Sequence, residues 1–380
     1  MKSVLIFGST GSIGKNALDV VRLAAGNFKV KGLCVNRDVA GLRRQLREFK
    51  PAYVCVVDPG AAAALGELPP GTRLFSGDQG LEEFARLSCD VSVMGISGVA
   101  CLKPLMINLK SAKCVALASK EPIVVAGTFV FEAARRHKAR IIPVDSEINA
   151  LFQLFSDMTG DIDKVYLTAS GGALFDYTPA QLKKVGVKEV LSHPTWRMGK
   201  RITVDSATLV NKGFEVVETH HFFNIAYEDI GVLIHRESLV HALVQASDNA
   251  MFACIYPTDM RIPLAYALNY PKRRPSKGGL DFSRNVSFSF QPLDYRQFPL
   301  LKLVRDAALR GANSLAVVNA CDEVAVENFL QGRLSFTDIC TVLEHVWEKC
   351  PFSRMARVDD VYHWDEWARA KTREYIKKIN

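Results

Sequence analysis

In "PVDSEINALFQ", residues 143 to 153, two carboxylates, Asp145 and Glu147, flank a single residue where an apolar strand, Arg140 to Val144, runs out. Like charges so close raise the cost of each other's ionised form unless a cation, a proton or water settles them. Two readings answer that need. Asp145 or Ser146 caps the following helix, an arrangement worth about 1 kcal/mol, or the pair holds a cation. Further on, "VDSATLVNKGFEVVE", residues 204 to 218, sets Asn211 four residues and Lys212 three residues before Glu215, so on a helix all three share one face. A helix salt bridge worth a few tenths of a kcal/mol accounts for Lys212 and Glu215. Asn211 is different, because an amide in the apolar approach "ATLVN" is unfavourable unless something binds it. With Ser206 near the expected helix start, Asn211 and Lys212 complete three donors for one phosphate or polyol. Glu215 then joins Asp145 and Glu147 as three oxygen donors suited to a hard divalent cation, Mg2+ or Mn2+.

A second chemistry is written at the start of the chain. "SVLIFGSTGSIGKNALDVV" reads as a strand, a tight turn with Gly8, Gly11 and Gly14, and a helix. Glycines let the backbone approach a pyrophosphate, and the N–H groups of the helix start face the anion. Dinucleotide binding through Gly8, Thr10, Gly11, Ser12 and Ile13 is the reading favoured over a purely structural turn. After the second strand comes "CVNRD", where Asn36 and Arg37 suit a 2′-phosphate and so NADPH, while Asp38 just beyond favours a ribose hydroxyl. Lys120 and Glu121 of "ASKEP" follow the strand "CVALA", and ligands of open parallel sheets bind at such strand ends.

The elements that must position these residues follow from the apolar pattern. From Ser3 to Val144 short apolar runs alternate with amphipathic stretches, which predicts a doubly wound α/β sheet of Rossmann type. Strands are then expected at 164–169, 230–235, 238–246 and 250–256, with a helix from about Asp205 among them, so the middle region is α+β. Residues rich in Pro, Gly and basic side chains from 271 onward read as a linker, and helical spacing resumes beyond about Pro299. The expected organisation is therefore an NADP-binding domain at 1–145, a catalytic and dimerisation domain at 146–270, a linker at 271–298 and a helical domain at 299–380.

At 380 residues the chain exceeds one ordinary core. No apolar run approaches the roughly 18 residues of a membrane span, and no secretory pattern is evident, so a cytoplasmic chain is expected. Nine cysteines without a CxxC read as reduced residues rather than disulfides or zinc ligands. The net charge of +8 is dispersed, which favours small phosphorylated ligands over nucleic acid.

Taken together, "GSTGSIG", "PVDSE", "LTASGGALF", "HPTWRMGKRITVDSATLVNKGFE", "DMRIPLAYAL" and "NACDEVAVENFL" resemble the 1-deoxy-D-xylulose-5-phosphate reductoisomerase family. The resemblance implies a homodimer of three-domain subunits that uses NADPH and a divalent metal to convert 1-deoxy-D-xylulose 5-phosphate, a ketose phosphate, into 2-C-methyl-D-erythritol 4-phosphate in non-mevalonate isoprenoid synthesis. It implies metal ligation by Asp145, Glu147 and Glu215, and substrate contacts from Ser146, Ser170, His193, Ser206, Asn211 and Lys212. Four of these, Ser170, Ser206, Asn211 and Lys212, would hold the phosphate. Lys120 would lie between substrate and cofactor, and "HPTWRMG" would be a mobile flap whose Trp196 and Met198 cover the substrate. The chain departs from the family pattern at Ser119, usually Asn, and at Ile148, usually His. Two rivals differ in kind: an NADP-dependent semialdehyde dehydrogenase, which needs a nucleophilic cysteine in a polar setting, and a non-catalytic nucleic-acid-binding protein, which the positive charge alone supports.

Overall fold

The computed structural model describes residues 1–158, 160–196, 198–275 and 278–379. Thr159, Arg197 of the expected flap, Ser276 and Lys277 of the expected linker, and Asn380 lie outside the described residues. In chain order the first elements are β1 (Lys2–Phe7), α1 (Ser12–Leu23), β2 (Phe28–Val35), α2 (Val39–Phe49), β3 (Tyr53–Val56), α3 (Pro59–Ala63), β4 (Arg73–Ser76) and α4 (Gly77–Ala85). There follow β5 (Cys89–Met94), α5 (Leu102–Asn108), β6 (Ala112–Leu117), α6 (Glu121–His137), β7 (Arg140–Pro143), α7 (Ser146–Asp157) and β8 (Ile162–Ala169). Then come α8 (Pro179–Leu182), α9 (Val187–Val190), α10 (Lys200–Thr208), α11 (Val210–Phe223), β9 (Ile230–Ile234), β10 (Val240–Ala246), β11 (Met251–Ile255) and α12 (Arg261–Asn269). The chain closes with β12 (Gln291–Pro292), α13 (Pro299–Arg310), α14 (Ser314–Leu330), α15 (Phe336–Glu348) and α16 (Asp359–Ile379).

Two compact units result. The first comprises Met1–Pro122, Val130–Phe152 and Asp259–Gly278. Its seven strands are parallel in the order β4-β3-β2-β1-β5-β6-β7. Strand β1 is buried at four successive positions, Val4 to Phe7, as a strand covered on both faces must be. The chain runs from β1 outward to β4 and then returns to β5 on the other side of β1. That reversal is the topological switch point where such sheets bind ligands. Strand β4 was not legible in the sequence, because in "RLFS" only Phe75 is buried. Helix α12 also belongs here, although the expected boundaries place it in the catalytic region. Its Leu264 and Leu268 join the core of Val4 and Ile6, and Lys2 Nζ donates to Leu268 O at 3.1 Å.

The second unit comprises Ile123–Phe129, Gln153–Thr258 and Gly279–Asn380. Its sheet has the order β11-β10-β8-β9-β12, with β8 and β9 parallel and the remaining pairs antiparallel. The strand expected at 164–169 begins two residues earlier, at Ile162, and those at 230–235, 238–246 and 250–256 are found with their ends trimmed by a residue or two. The expected linker contributes β12 to the sheet edge beside β9. The helix expected from Asp205 is two helices. Helix α10 begins at Lys200, and Leu209 at φ +58° ends it before α11.

The switch point leaves no room for side chains. Gly8 has φ +78°, and a Cβ there would sit 2.5 Å from Gly95 O, while one on Gly14 would sit 2.3 Å from Gly8 O. We expect Gly14→Ala to lower stability by about 1–3 kcal/mol, the usual cost of forcing an atom into packed backbone. Urea denaturation measures this, and an unchanged midpoint would contradict the close approach.

Candidate functional site

Within the first unit, β6 and β7 are neighbours, and Leu117 pairs with Pro143 at their carboxyl ends. The residues that follow each strand therefore emerge together. Lys120, at the start of α6, places Nζ 2.7 Å from Asp145 Oδ2, with only 7% and 13% of the two side chains exposed. Asp145 Oδ1 accepts the Glu147 N–H at 3.3 Å, and the Asp145 carbonyl accepts the Asn149 N–H at 2.8 Å. Asp145 thus caps α7 with one oxygen, as the first reading expected, and pairs with the Lys120 ammonium through the other. Ser146 Oγ donates to Glu147 Oε2. Glu121 is the first residue of α6 and is half-buried. The two departures from the family pattern take internal places: Ser119 Oγ donates to Ile96 O, and Ile148 is fully buried.

At the switch point, Gly11 precedes α1 without a side-chain cap, which leaves the amides of the first turn for an anion. Thr10 and Ile13 are half-buried and Ser12 is exposed. Beyond β2, Asn36 is exposed, and Arg37 donates through Nε to Asp58 Oδ2 at 2.8 Å with 78% of its side chain exposed. Asp38, the residue that argued for NAD, is taken up locally: it caps α2 by accepting the Gly41 N–H at 2.8 Å.

In the second unit, the break at Leu209 sets Ser206 in the last turn of α10 and Asn211 and Lys212 in the first turn of α11. Ser206 is therefore not at a shared helix start. The three instead flank the junction between two helices. Asn211 Nδ2 donates to Glu215 Oε1 at 2.6 Å, and Lys212 Nζ pairs with Glu215 Oε2. Lys212 and Glu215 expose only 4% and 1% of their side chains. The turn after β8 seats on this junction, since a Cβ on Gly172 would lie 2.8 Å from Ser206 O. Ser170 Oγ in that turn accepts the Gly172 N–H at 3.1 Å and lies 3.0 Å from His193 Nε2.

The flap segment is tied to the same place. His193 Nδ1 accepts the N–H groups of Thr195 at 3.3 Å and Trp196 at 3.0 Å. Trp196 meets His241 edge-on at 6.1 Å between ring centres, and Met198 is half-buried. Burial, and after it the Arg236 guanidinium, pulls the His193 pKa down to about 4. Arg236 escaped the sequence reading, because "HRESL" carries no periodic or motif signal.

A cysteine nucleophile finds no support. All nine cysteines are free, six buried and three partly buried. Burial pushes Cys89, Cys101, Cys321 and Cys340 up to about 12 and Cys114 to about 11, the reverse of an activated thiol.

Comparison with known proteins gives a consistent result. Residues 4–127 match a family model described as 1-deoxy-D-xylulose 5-phosphate reductoisomerase, and residues 141–223 and 255–371 match models of C-terminal domains of the same enzyme. The 1-deoxy-D-xylulose 5-phosphate reductoisomerase of Thermodesulfovibrio yellowstonii is 41% identical over 379 residues, 99% of this chain and 100% of that protein. That of Chlorobium limicola is also 41% identical, over 383 residues, with the same coverage. Among solved structures, the Zymomonas mobilis reductoisomerase in complex with NADPH superimposes with a TM-score of 0.92 at 31% identity, covering 99% of each chain. A DOX-P reductoisomerase in complex with NADPH, fosmidomycin and magnesium gives 0.92 at 33% identity, covering 100% of this chain and 99% of that one.

The His193 environment has a measurable consequence. Its folded pKa of about 4 lies below the ordinary 6.5, so the unfolded chain binds the proton more readily. The penalty is absent above 6.5 and grows as pH falls toward 4. His193→Asn is expected to lose less stability than the parent between those values in urea melts, and equal losses would contradict the assignment.

Proposed function

The chain belongs to the 1-deoxy-D-xylulose 5-phosphate reductoisomerase family, and on that premise we propose how its residues share the work of the reaction. It is an NADPH- and divalent-metal-dependent enzyme that isomerises and reduces 1-deoxy-D-xylulose 5-phosphate to 2-C-methyl-D-erythritol 4-phosphate in non-mevalonate isoprenoid synthesis. The observation that carries the division of labour is the α10–α11 junction, where Asn211 and Lys212 both bond a buried Glu215 at the start of α11.

Ser170, Ser206, Asn211 and Lys212 hold the substrate phosphate. Two hydroxyls, an amide and an ammonium at the positive pole of α11 form a donor set complementary to a dianion. Asp145, Glu147 and Glu215 hold the divalent cation. An all-carboxylate donor set fits Mg2+ or Mn2+ rather than a soft metal. When bound, the cation supplies Lewis acidity toward the ketose carbonyl and its neighbouring hydroxyl. Ser146 and His193 contact the sugar chain. Lys120, oriented by Asp145, places its positive charge between substrate and nicotinamide.

Gly8, Thr10, Gly11, Ser12 and Ile13 would line NADPH, the hydride donor, on the tight turn before α1, where a Cβ on Gly8 would meet Gly95 O at 2.5 Å. Asn36 and Arg37 receive its 2′-phosphate, and Glu121 lies at its reactive end. The flap residues Trp196 and Met198 cover the substrate and exclude water. Phosphate binding lies away from the reacting carbons, so it serves positioning and flap closure rather than the chemical step itself.

No helix among the described residues is long and apolar enough to cross a membrane. We assign a cytoplasmic homodimer whose partners are the phosphorylated ketose and a second copy, not nucleic acid.

NADPH absorbance followed with 1-deoxy-D-xylulose 5-phosphate tests the activity. Oxidation should stop with EDTA and return with excess Mn2+, whereas indifference to EDTA would remove the carboxylates from the site. Lys212→Ala is expected to raise KM about 10- to 100-fold, the loss of one charge-assisted hydrogen bond. A wild-type KM would take Lys212 out of the phosphate site.

A further inference from the structure

Arg236, on the loop between β9 and β10, grips the turn after β8 from behind. Its Nη1 donates to Ser170 O at 2.7 Å and Gly172 O at 3.2 Å, and its guanidinium lies 5.0 Å over the Phe175 ring. Nη2 reaches Asp176 at 3.3 Å. The turn it holds needs holding. Gly171 and Gly172 both have positive φ, +80° and +70°, and Gly172 is pressed against the backbone of Ser206 and Ala207. Peptide planes in two successive glycines are otherwise free to rotate.

The hydrogen-bond inventory gives the turn a polarity. Because His193 Nδ1 accepts two backbone N–H groups, the neutral ring carries its proton on Nε2 and donates to Ser170 Oγ. Ser170 Oγ also accepts the Gly172 N–H. With both acceptor positions used, the Ser170 hydroxyl proton is left to donate outward. The two carbonyls that would repel an anion are taken by Arg236. The Arg236 charge also disfavours protonation of His193, which keeps Nδ1 an acceptor.

We propose that Arg236 is a positioning residue for the substrate phosphate, clamping the Ser170–Gly172 turn so that the Ser170 hydroxyl points its proton at the anion. This rests on the assignment of Ser170, Ser206, Asn211 and Lys212 to the phosphate. It adds a side chain that touches neither substrate nor cofactor, and its effect is specific to ligands that carry the phosphate or a phosphonate.

The test compares Arg236→Met, Arg236→Lys and Lys212→Ala with the parent enzyme. For each, KM and kcat are measured with 1-deoxy-D-xylulose 5-phosphate, together with inhibition by a phosphonate hydroxamate and by the same hydroxamate without its phosphonate. Arg236→Met should raise KM and weaken the phosphonate inhibitor about tenfold, leaving kcat and the phosphonate-free inhibitor within about twofold. Arg236→Lys keeps the charge but has no second nitrogen for Asp176 and no planar group to stack on Phe175, so about threefold is expected. It decides the question alone if the Met variant does not fold. An unchanged ratio of the two inhibitors in either folded Arg236 variant overturns the inference, and equal weakening of both inhibitors does the same by reducing Arg236 to a general structural part. If Lys212→Ala shifts the ratio and the Arg236 variants do not, only this inference fails. If Lys212→Ala also leaves the ratio unchanged, the phosphate assignment falls with it.

Discussion

Two shielded lysine–carboxylate pairs, Lys120 with Asp145 and Lys212 with Glu215, are the constraint on which the site depends. A carboxylate taken out of water costs several kcal/mol unless a cation and further hydrogen bonds compensate it. Each pair meets that demand at a helix start: Lys120 precedes α6, and Lys212 lies in the first turn of α11. A cation at the positive pole of a helix is itself unfavourable. These positions therefore concentrate positive potential that the fold alone does not need, beside acids that the fold alone would rather expose. Each pair satisfies its carboxylate within the fold, and under the proposed assignment it also presents charge of both signs to a phosphate and a divalent cation.

The backbone is bent to the same end. Local rules are broken where ligands are assigned: Gly8 and Gly14 press against neighbouring backbone at the switch point, Leu209 takes φ +58° between α10 and α11, and Gly171 and Gly172 take positive φ in succession. Breaks of this kind gather at functional sites, where surrounding structure must hold them. Here the holding groups are identifiable: Gly95 on the neighbouring strand end, and Arg236 behind the glycine turn. The flap shares this support, since His193 joins its backbone to Ser170.

Much of this was legible in the sequence, and the gaps have physical reasons. The parallel sheet is announced by its continuous apolar runs, because strands covered on both faces must be apolar throughout. Strand β4 is not, since only Phe75 of its four residues is buried. Asn211, Lys212 and Glu215 were read as one helical face, and their spacing alone sufficed. The position of Ser206 was misread because Leu209 is a good helix former, and nothing in its type signals a left-handed backbone. Asp38 was ambiguous in sequence and became a helix cap once the Gly41 N–H was in place. Arg236 was invisible, because the carbonyls it holds lie more than sixty residues away in the chain.

The central claim is that Asp145, Glu147 and Glu215 exist as a set for one divalent cation. Mn2+ titration followed by electron paramagnetic resonance, in the parent and in Asp145→Asn and Glu215→Gln, tests it without reference to turnover. The account predicts one tight ion per chain in the parent and a loss of affinity of about tenfold or more in each variant. Unaltered Mn2+ binding in both variants would contradict it and return the acids to capping and pairing alone.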